Sequence, residues 1–241
     1  DLVTKFQYAN MRMKYCGRPV VVAPAGMALG GGCEMSMHGT RCQACAETYI
    51  GLVEIGVGVI PAGGGTKELM VRVAGDLPAD AVKNGLNMQT LYQKVFENIG
   101  MAKVATSAVE AIEFGYLRKT DGISINRDQQ IADAKDAVMG LSRFYKRPKE
   151  VKMPVMGENF KGMAASILYN MKHGNYISEY DEYVASKLAH VIAGGECPEG
   201  TYVSEGYVLD LEREAFLSLC GEQKTQDRIM HMLMKGKPLR N

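Results

Sequence analysis

Two short glycine clusters constrain this chain more than any other feature. The first is Gly26-Met27-Ala28-Leu29-Gly30-Gly31-Gly32-Cys33-Glu34. The second is Glu54-Ile55-Gly56-Val57-Gly58-Val59-Ile60-Pro61-Ala62-Gly63-Gly64-Gly65-Thr66. Each places a glycine run directly before a helical pattern, and each carries a carboxylate. Val20-Val21-Val22-Ala23, ahead of the first cluster, reads as a short buried strand broken at Pro24 to Gly26. Glycines let a ligand approach the backbone closely. The free N–H groups of a helix start favour an anion. Glu34 follows Gly31 by three residues and so returns to the same face about one turn in. Two carboxylates twenty positions apart, each beside a helix start, suit general acid/base chemistry at an oxyanion. The same pattern also serves glycine turns that only permit tight packing.

The rest of the chain supplies the frame. Leu2, Phe6, Ala9 and Met13 form one face of an amphipathic helix over residues 2–16, stopped by Gly17 and Pro19. A short helix is expected over Cys33–His38, short strands with a turn over 40–51, and a loop over 53–61. Gly63 to Thr66 opens a helix with Leu69, Met70 and Val73 on its apolar side, and 79–99 reads as one helix. Ser107 to Glu110 matches a capping box, predicting a helix from Ala108 to Gly115. A further helix is expected over 128–144 and a linker between Arg147-Pro148 and Met153-Pro154. Four helical stretches follow, near 160–173, 179–193, 205–220 and 223–235. The expected fold class is α/β. Residues 1–145 form a mixed unit, and 146–241 a mostly helical region for oligomerisation or as a lid.

Charge excludes some functions. The 28 basic and 27 acidic side chains leave a net charge of +1 across 241 residues. That balance argues against a general nucleic-acid binder or a polybasic membrane anchor. No uninterrupted apolar run reaches the ~18 residues a membrane span needs. The six cysteines have no framework spacing and no secretory pattern precedes them, so reduced thiols and a cytoplasmic setting are expected.

Taken in order, Gly26-x-Ala28-x-Gly30-Gly31-Gly32-Cys33-Glu34, then Glu54, then Ile60-Pro61-x-Gly63-Gly64-Gly65-Thr66, resemble the signature of the enoyl-CoA hydratase/isomerase, or crotonase, superfamily. Ala102 to Ser107, Ala111 and Gly115-Tyr116-Leu117 resemble a later segment of the same family. The closing stretches 211–216, 228–233 and 236–241 resemble the hydratase part that comes last in bacterial fused 3-hydroxyacyl-CoA dehydrogenase/enoyl-CoA hydratase proteins.

The resemblance implies a partial ββα spiral followed by the helical region. It implies a lyase of fatty-acid β-oxidation that adds water to a trans-2-enoyl-CoA, an acyl-CoA thioester. Glu34 and Glu54 then hold and activate the water, and the Gly31 N–H is one oxyanion donor. Ala28, Gly30, Pro61 and Ala62 border the substrate, and Lys235 is a weaker candidate for contact with CoA phosphates. Ala62 stands where the family usually has glycine. Hydration needs no cofactor and no metal, and NAD is expected only in a dehydrogenase part upstream. The family's second oxyanion donor comes from a segment before the first helix. The chain is therefore expected to be the C-terminal part of a crotonase domain, inactive and poorly soluble by itself and completed by the upstream part and a homo-oligomer. Other activities of the superfamily (isomerase, hydrolase) and an inert docking piece are the alternatives.

Two other features carry competing readings. Cys33, His38, Cys42 and Cys45 have residue types that suit zinc, but a second paired motif is lacking, and small apolar packing is the plainer reading. His231 reads as a helix-surface or packing residue and not a catalytic base, and the methionines of 153–171 and 230–234 as packing at the core or a subunit interface.

Overall fold

β1 (Val21–Val22) runs to Pro24, Gly26 takes a φ of +64°, and the chain turns into β2 (Met27–Leu29) in a second sheet. α2 (Gly31–His38) follows. β3 (Arg41–Cys45), β4 (Tyr49–Gly51) and α3 (Gly65–Ala74) then repeat the sequence of two strands and a helix. This is a computed structural model that describes residues 1–241. β1 pairs in parallel with β3, with Val21 opposite Arg41, and β2 pairs in parallel with β4, with Met27 opposite Tyr49. β3 goes on to β6 (Gly122–Ser124) in parallel, and β4 to β5 (Val104–Ala105) antiparallel. Two small sheets thus grow side by side, which is the α/β ββα spiral expected. The sequence pattern does not mark β2, because Met27, Ala28 and Leu29 sit between glycines and make up only three residues of strand.

The first helix corrects the sequence reading. α1 (Leu2–Lys14) leaves Leu2 85% exposed and Ala9 exposed, while Gln7 and Asn10 are buried. Beside the Phe6 ring, its inward face carries Gln7 and Asn10, which hydrogen-bond loop carbonyls beside the site, as described below. The helix expected over 79–99 is also broken. α4 (Ala79–Lys83) ends near Gly85, whose φ is +86°, and α5 (Met88–Gly100) restarts with the Asn87 side chain accepting the Gln89 N–H at 3.0 Å.

α6 (Ala108–Phe114) starts where the capping signal places it. Ser107 Oγ accepts the Glu110 N–H at 3.2 Å, but the Glu110 carboxylate accepts the Thr106 N–H at 2.7 Å instead of that of Ser107. α7 (Gln130–Ser142) follows a short 3-10 turn over Arg127–Gln129.

The expected linker contains a strand. β7 (Lys152–Pro154) pairs antiparallel with β8 (Tyr202–Ser204), Met153 opposite Val203. α8 (Glu158–His173), α9 (Glu179–Ala193), α10 (Glu205–Cys220) and α11 (Gln223–Lys235) match the four expected helical stretches. Of the methionines, Met153 is fully buried, whereas Met230 and Met234 on α11 are exposed.

One buried apolar cluster runs from Cys33 through Ile60, Leu69 and Met70 to Leu188, Val208 and Leu219. α3 is central to it. Arg72 on α3 donates to the carbonyls of Gly115 and Tyr116 at 2.7 and 2.8 Å and to that of Met37 at 2.9 Å. It thereby satisfies backbone acceptors at the ends of α6 and α2, which would otherwise be unpaired at a helix C-terminus. No helix is long and apolar enough to cross a membrane.

Candidate active site

The site begins at the start of α2. Gly30 precedes the helix with φ +55° and ψ −124°, a backbone region essentially reserved for glycine. Its N–H donates to the Gly51 carbonyl of β4 at 2.9 Å, which ties the helix start to the second sheet. Gly31 is the first helical residue, so its N–H is among those a helix leaves without an internal partner. Gly31 is exposed.

Glu34, one turn into α2, is buried. Its Oε1 accepts the N–H groups of Gly63 and Gly65, each at 2.8 Å, from the glycine loop that opens α3. The loop must be glycine here. A Cβ on Gly63 would stand 2.5 Å from Glu34 Oε2, and one on Gly65 would stand 3.0 Å from Glu34 Oε1. Burial pushes the Glu34 carboxyl up to about 7, against the opposing pull of the Gly65 and Gly63 amides and the Lys67 ammonium.

Glu54 opens a 3-10 turn, Glu54–Val57. Its Oε1 lies 3.1 Å from where a Gly30 Cβ would be, and its Oε2 is buried without a hydrogen-bond partner. Burial, and next the nearby Glu34, push this carboxyl up to about 8. The two glutamates are thus close enough to disfavour each other's charge, and neither has a basic partner bound to its oxygens. Such a pair shares one proton near neutral pH.

Several residues around this pair carry no sequence signal for a site. The Phe6 ring of α1 lies 3.4 Å from a Gly31 Cβ position and also against Gly63. Gln7 Nε2 donates to the carbonyls of Ala62 and Leu209 at 2.9 and 2.8 Å, and Asn10 Nδ2 to that of Gly63 at 2.9 Å. Glu212 of α10 accepts amides of the same loop. Behind the loop sits a buried ionic cluster. Lys67 pairs with Glu68, and with Glu205 at 3.0 Å, while Lys14 reaches Glu68 at 2.6 Å and Glu205 at 2.7 Å. Tyr15 donates to Glu205.

The remaining sequence candidates fall into three groups. Ala28 lies in β2 opposite Ile50, next to the α2 start. Pro61 and Ala62 are buried ahead of the glycine loop, and the amides that reach Glu34 belong to Gly63 and Gly65 and not to Ala62. Lys235 is exposed in the last turn of α11.

His38, Cys42 and Cys45 do not gather into a metal-binding cluster. His38 Nδ1 bonds the Glu34 carbonyl at 2.7 Å, and its Nε2 faces Lys67 Nζ at 2.9 Å. Burial and then Lys67 hold its pKa down to about 3, so the ring is neutral at pH 7. Cys42 Sγ donates to the Ser36 carbonyl.

No protein-family profile matches the chain. It is 48% identical over 243 residues to a Bacillus subtilis protein named probable 3-hydroxyacyl-CoA dehydrogenase, a match that covers all of this chain and 30% of the relative. The chain thus spans less than a third of that relative's length. Over a 58-residue stretch, 24% of this chain and 22% of the relative, it is 40% identical to a short-chain-enoyl-CoA hydratase of Clostridium acetobutylicum. The crystal structure of an enoyl-CoA hydratase from Bacillus halodurans superposes with a TM-score of 0.56 at 14% identity, covering 95% of this chain and 66% of that one. The chain thus shares the ββα fold of that enoyl-CoA hydratase structure, with its paired glutamates and glycine loops in the order the sequence resemblance leads one to expect.

Proposed function

We propose that this chain supplies the hydration site of an enoyl-CoA hydratase of fatty-acid β-oxidation, acting on a trans-2-enoyl-CoA. The observation that carries the reading is the Glu34–Glu54 pair. Both carboxyls have raised pKa values, Glu34 held by the glycine loop that opens α3 and Glu54 reaching Gly30 with its Oε1, beside the open N–H of Gly31.

The chemistry follows from the differences between the two acids. Glu34 receives two amide donors and Glu54 receives none from the glycine loop. With one proton between them, the negative charge rests on Glu34 and the proton on Glu54. Glu34 takes a proton from water as its oxygen bonds to the β-carbon. The thioester carbonyl oxygen gains charge, and the Gly31 N–H stabilises it. Glu54 then delivers its proton to the α-carbon on the same face, giving the 3-hydroxyacyl-CoA and leaving the proton on Glu34. Ala28, Gly30, Pro61 and Ala62 border the substrate in this reading, and Lys235 contributes to the CoA phosphates.

The wider assignments are part of the same proposal. A fused 3-hydroxyacyl-CoA dehydrogenase, holding the NAD site, would consume the product, and the name of the Bacillus subtilis relative supports that arrangement. Residues 1–145 serve as the catalytic unit and 146–241 as the helical region that completes it, in a cytoplasmic homo-oligomer. The exposed Met230, Leu233 and Met234 of α11 support a subunit contact.

The test is loss of enoyl-thioester absorbance from crotonyl-CoA with the intact protein. Glu34→Gln and Glu54→Gln should each lower kcat by at least ~10²-fold, the usual contribution of a positioned acid or base. Wild-type turnover in both variants would overturn the reading.

A further inference from the structure

Glu212, in the middle of α10, lies far along the chain from both glycine clusters. Its side chain is fully buried, and both its oxygens enter the glycine loop. Oε2 accepts the Gly64 N–H at 2.9 Å and Oε1 accepts the Lys67 N–H at 2.6 Å. The neighbouring amides of Gly63 and Gly65 go to Glu34. The amides at the α3 start are therefore divided, in alternation, between two carboxyls from different helices. The φ of +105° at Gly64 turns the chain so that adjacent N–H groups leave in different directions.

We propose that Glu212 is a positioning residue for the hydration reaction: by binding the Gly64 and Lys67 amides, it fixes the loop in the arrangement that aims Gly63 and Gly65 at Glu34. This rests on the reading of Glu34 as the base. Without Glu212, two buried amides lose their acceptors, a state that costs more than the bond itself contributes. The loop would then rotate to satisfy them, and Glu34 would lose donors.

Burial, and next Glu34, push the Glu212 carboxyl well above the usual carboxylate range. Lys67 of α3 faces both Glu34 and Glu212, and Glu54 of the 3-10 turn faces Glu34, while His38, Glu68 and Glu205 contact Lys67, with Lys14 on the two carboxylates. None of these replaces the two acceptors that Glu212 supplies. A glutamine at this position offers one acceptor oxygen and turns an NH₂ group toward the other amide.

The experiment is Glu212→Gln in the intact protein, with crotonyl-CoA as substrate and kcat, KM and the pH profile of kcat/KM as readouts. A displaced loop should lower kcat by about 10- to 100-fold, the scale on which small misplacements act, with KM changed less than about threefold. Loss of amide donors also raises the pKa of Glu34, so the acid limb should move to higher pH. If Glu212→Gln does not fold, Glu212→Asp carries the test. It keeps both acceptor oxygens on a shorter arm and should show the same split between kcat and KM with a smaller loss.

A folded variant with wild-type kcat and an unmoved acid limb would overturn the role of Glu212. So would an acid limb that moves to lower pH, because loss of amide donors can only raise the Glu34 pKa. A wild-type protein without hydratase activity would instead overturn the reading of the site, so the two failures are distinguishable.

Discussion

Glu54 Oε1 occupies the space that a side chain on Gly30 would need, 3.1 Å from its Cβ position. Gly30 is therefore fixed twice, by its φ of +55° and by the carboxyl of another segment. Gly30→Ala is expected to cost about 1–3 kcal/mol in stability from the strained backbone alone. It should also displace Glu54 and lower kcat by at least ~10-fold, since reacting groups act only when well placed. Thermal unfolding and crotonyl-CoA hydration, measured on the same preparation, check both effects.

The paired glutamates predict a bell-shaped dependence of kcat/KM on pH. The productive form holds one proton on the pair. It is populated between the values of about 7 and about 8 to which Glu34 and Glu54 are pushed. Activity should fall below that window as Glu34 gains a proton and above it as Glu54 loses one. A flat profile across neutrality would contradict the assignment.

The same shifts fix a stability trend. Both carboxyls bind protons more tightly folded than unfolded, where a glutamate titrates near ~4.3. Their contribution is full below that value and is lost as pH rises through about 7 for Glu34 and about 8 for Glu54. Glu54→Gln should therefore lose less Tm than wild type between about pH 5 and about pH 9. Parallel melting curves for the two proteins would show that Glu54 is not shifted.

Much of this site is legible in the sequence. Glu34, Glu54 and Gly30 to Gly32 lie in local motifs, where a glycine run before a helix has a direct physical reading. The structure adds what is non-local. Gln7 and Asn10 sit on a helix whose three- and four-residue spacing points to an apolar face at Leu2, Phe6, Ala9 and Met13. Only the loop carbonyls they meet explain why a polar face is buried. Glu212 has no motif, because its partners are backbone amides and its neighbours in sequence are ordinary helix residues. The break at Gly85 was visible as a glycine, but the apolar periodicity on either side outweighs a single residue.

The buried ions give a fourth expectation. Lys67 carries charge despite burial because Glu68 and Glu205 outweigh the desolvation that would lower its pKa. Lys67→Met removes one of the two ammonium groups serving these carboxylates. The cost should be about 3–5 kcal/mol, as for one partner removed from a buried pair, and chemical denaturation would measure it. A loss below about 1 kcal/mol would show that Lys14 alone suffices.

The division of the α3 amides between Glu34 and Glu212 also orders events in time. Chain synthesis delivers the early elements first. The ββα turns, the glycine loop and both proposed acid/base residues are all made well before α10. Until α10 docks, the loop presents its Gly63 and Gly65 amides without its second clamp. Closure of that contact joins segments far apart along the chain, the kind of step that slows folding. On refolding, recovery of turnover should lag behind recovery of helical signal, so catalysis becomes a reporter of the last long-range contact to form.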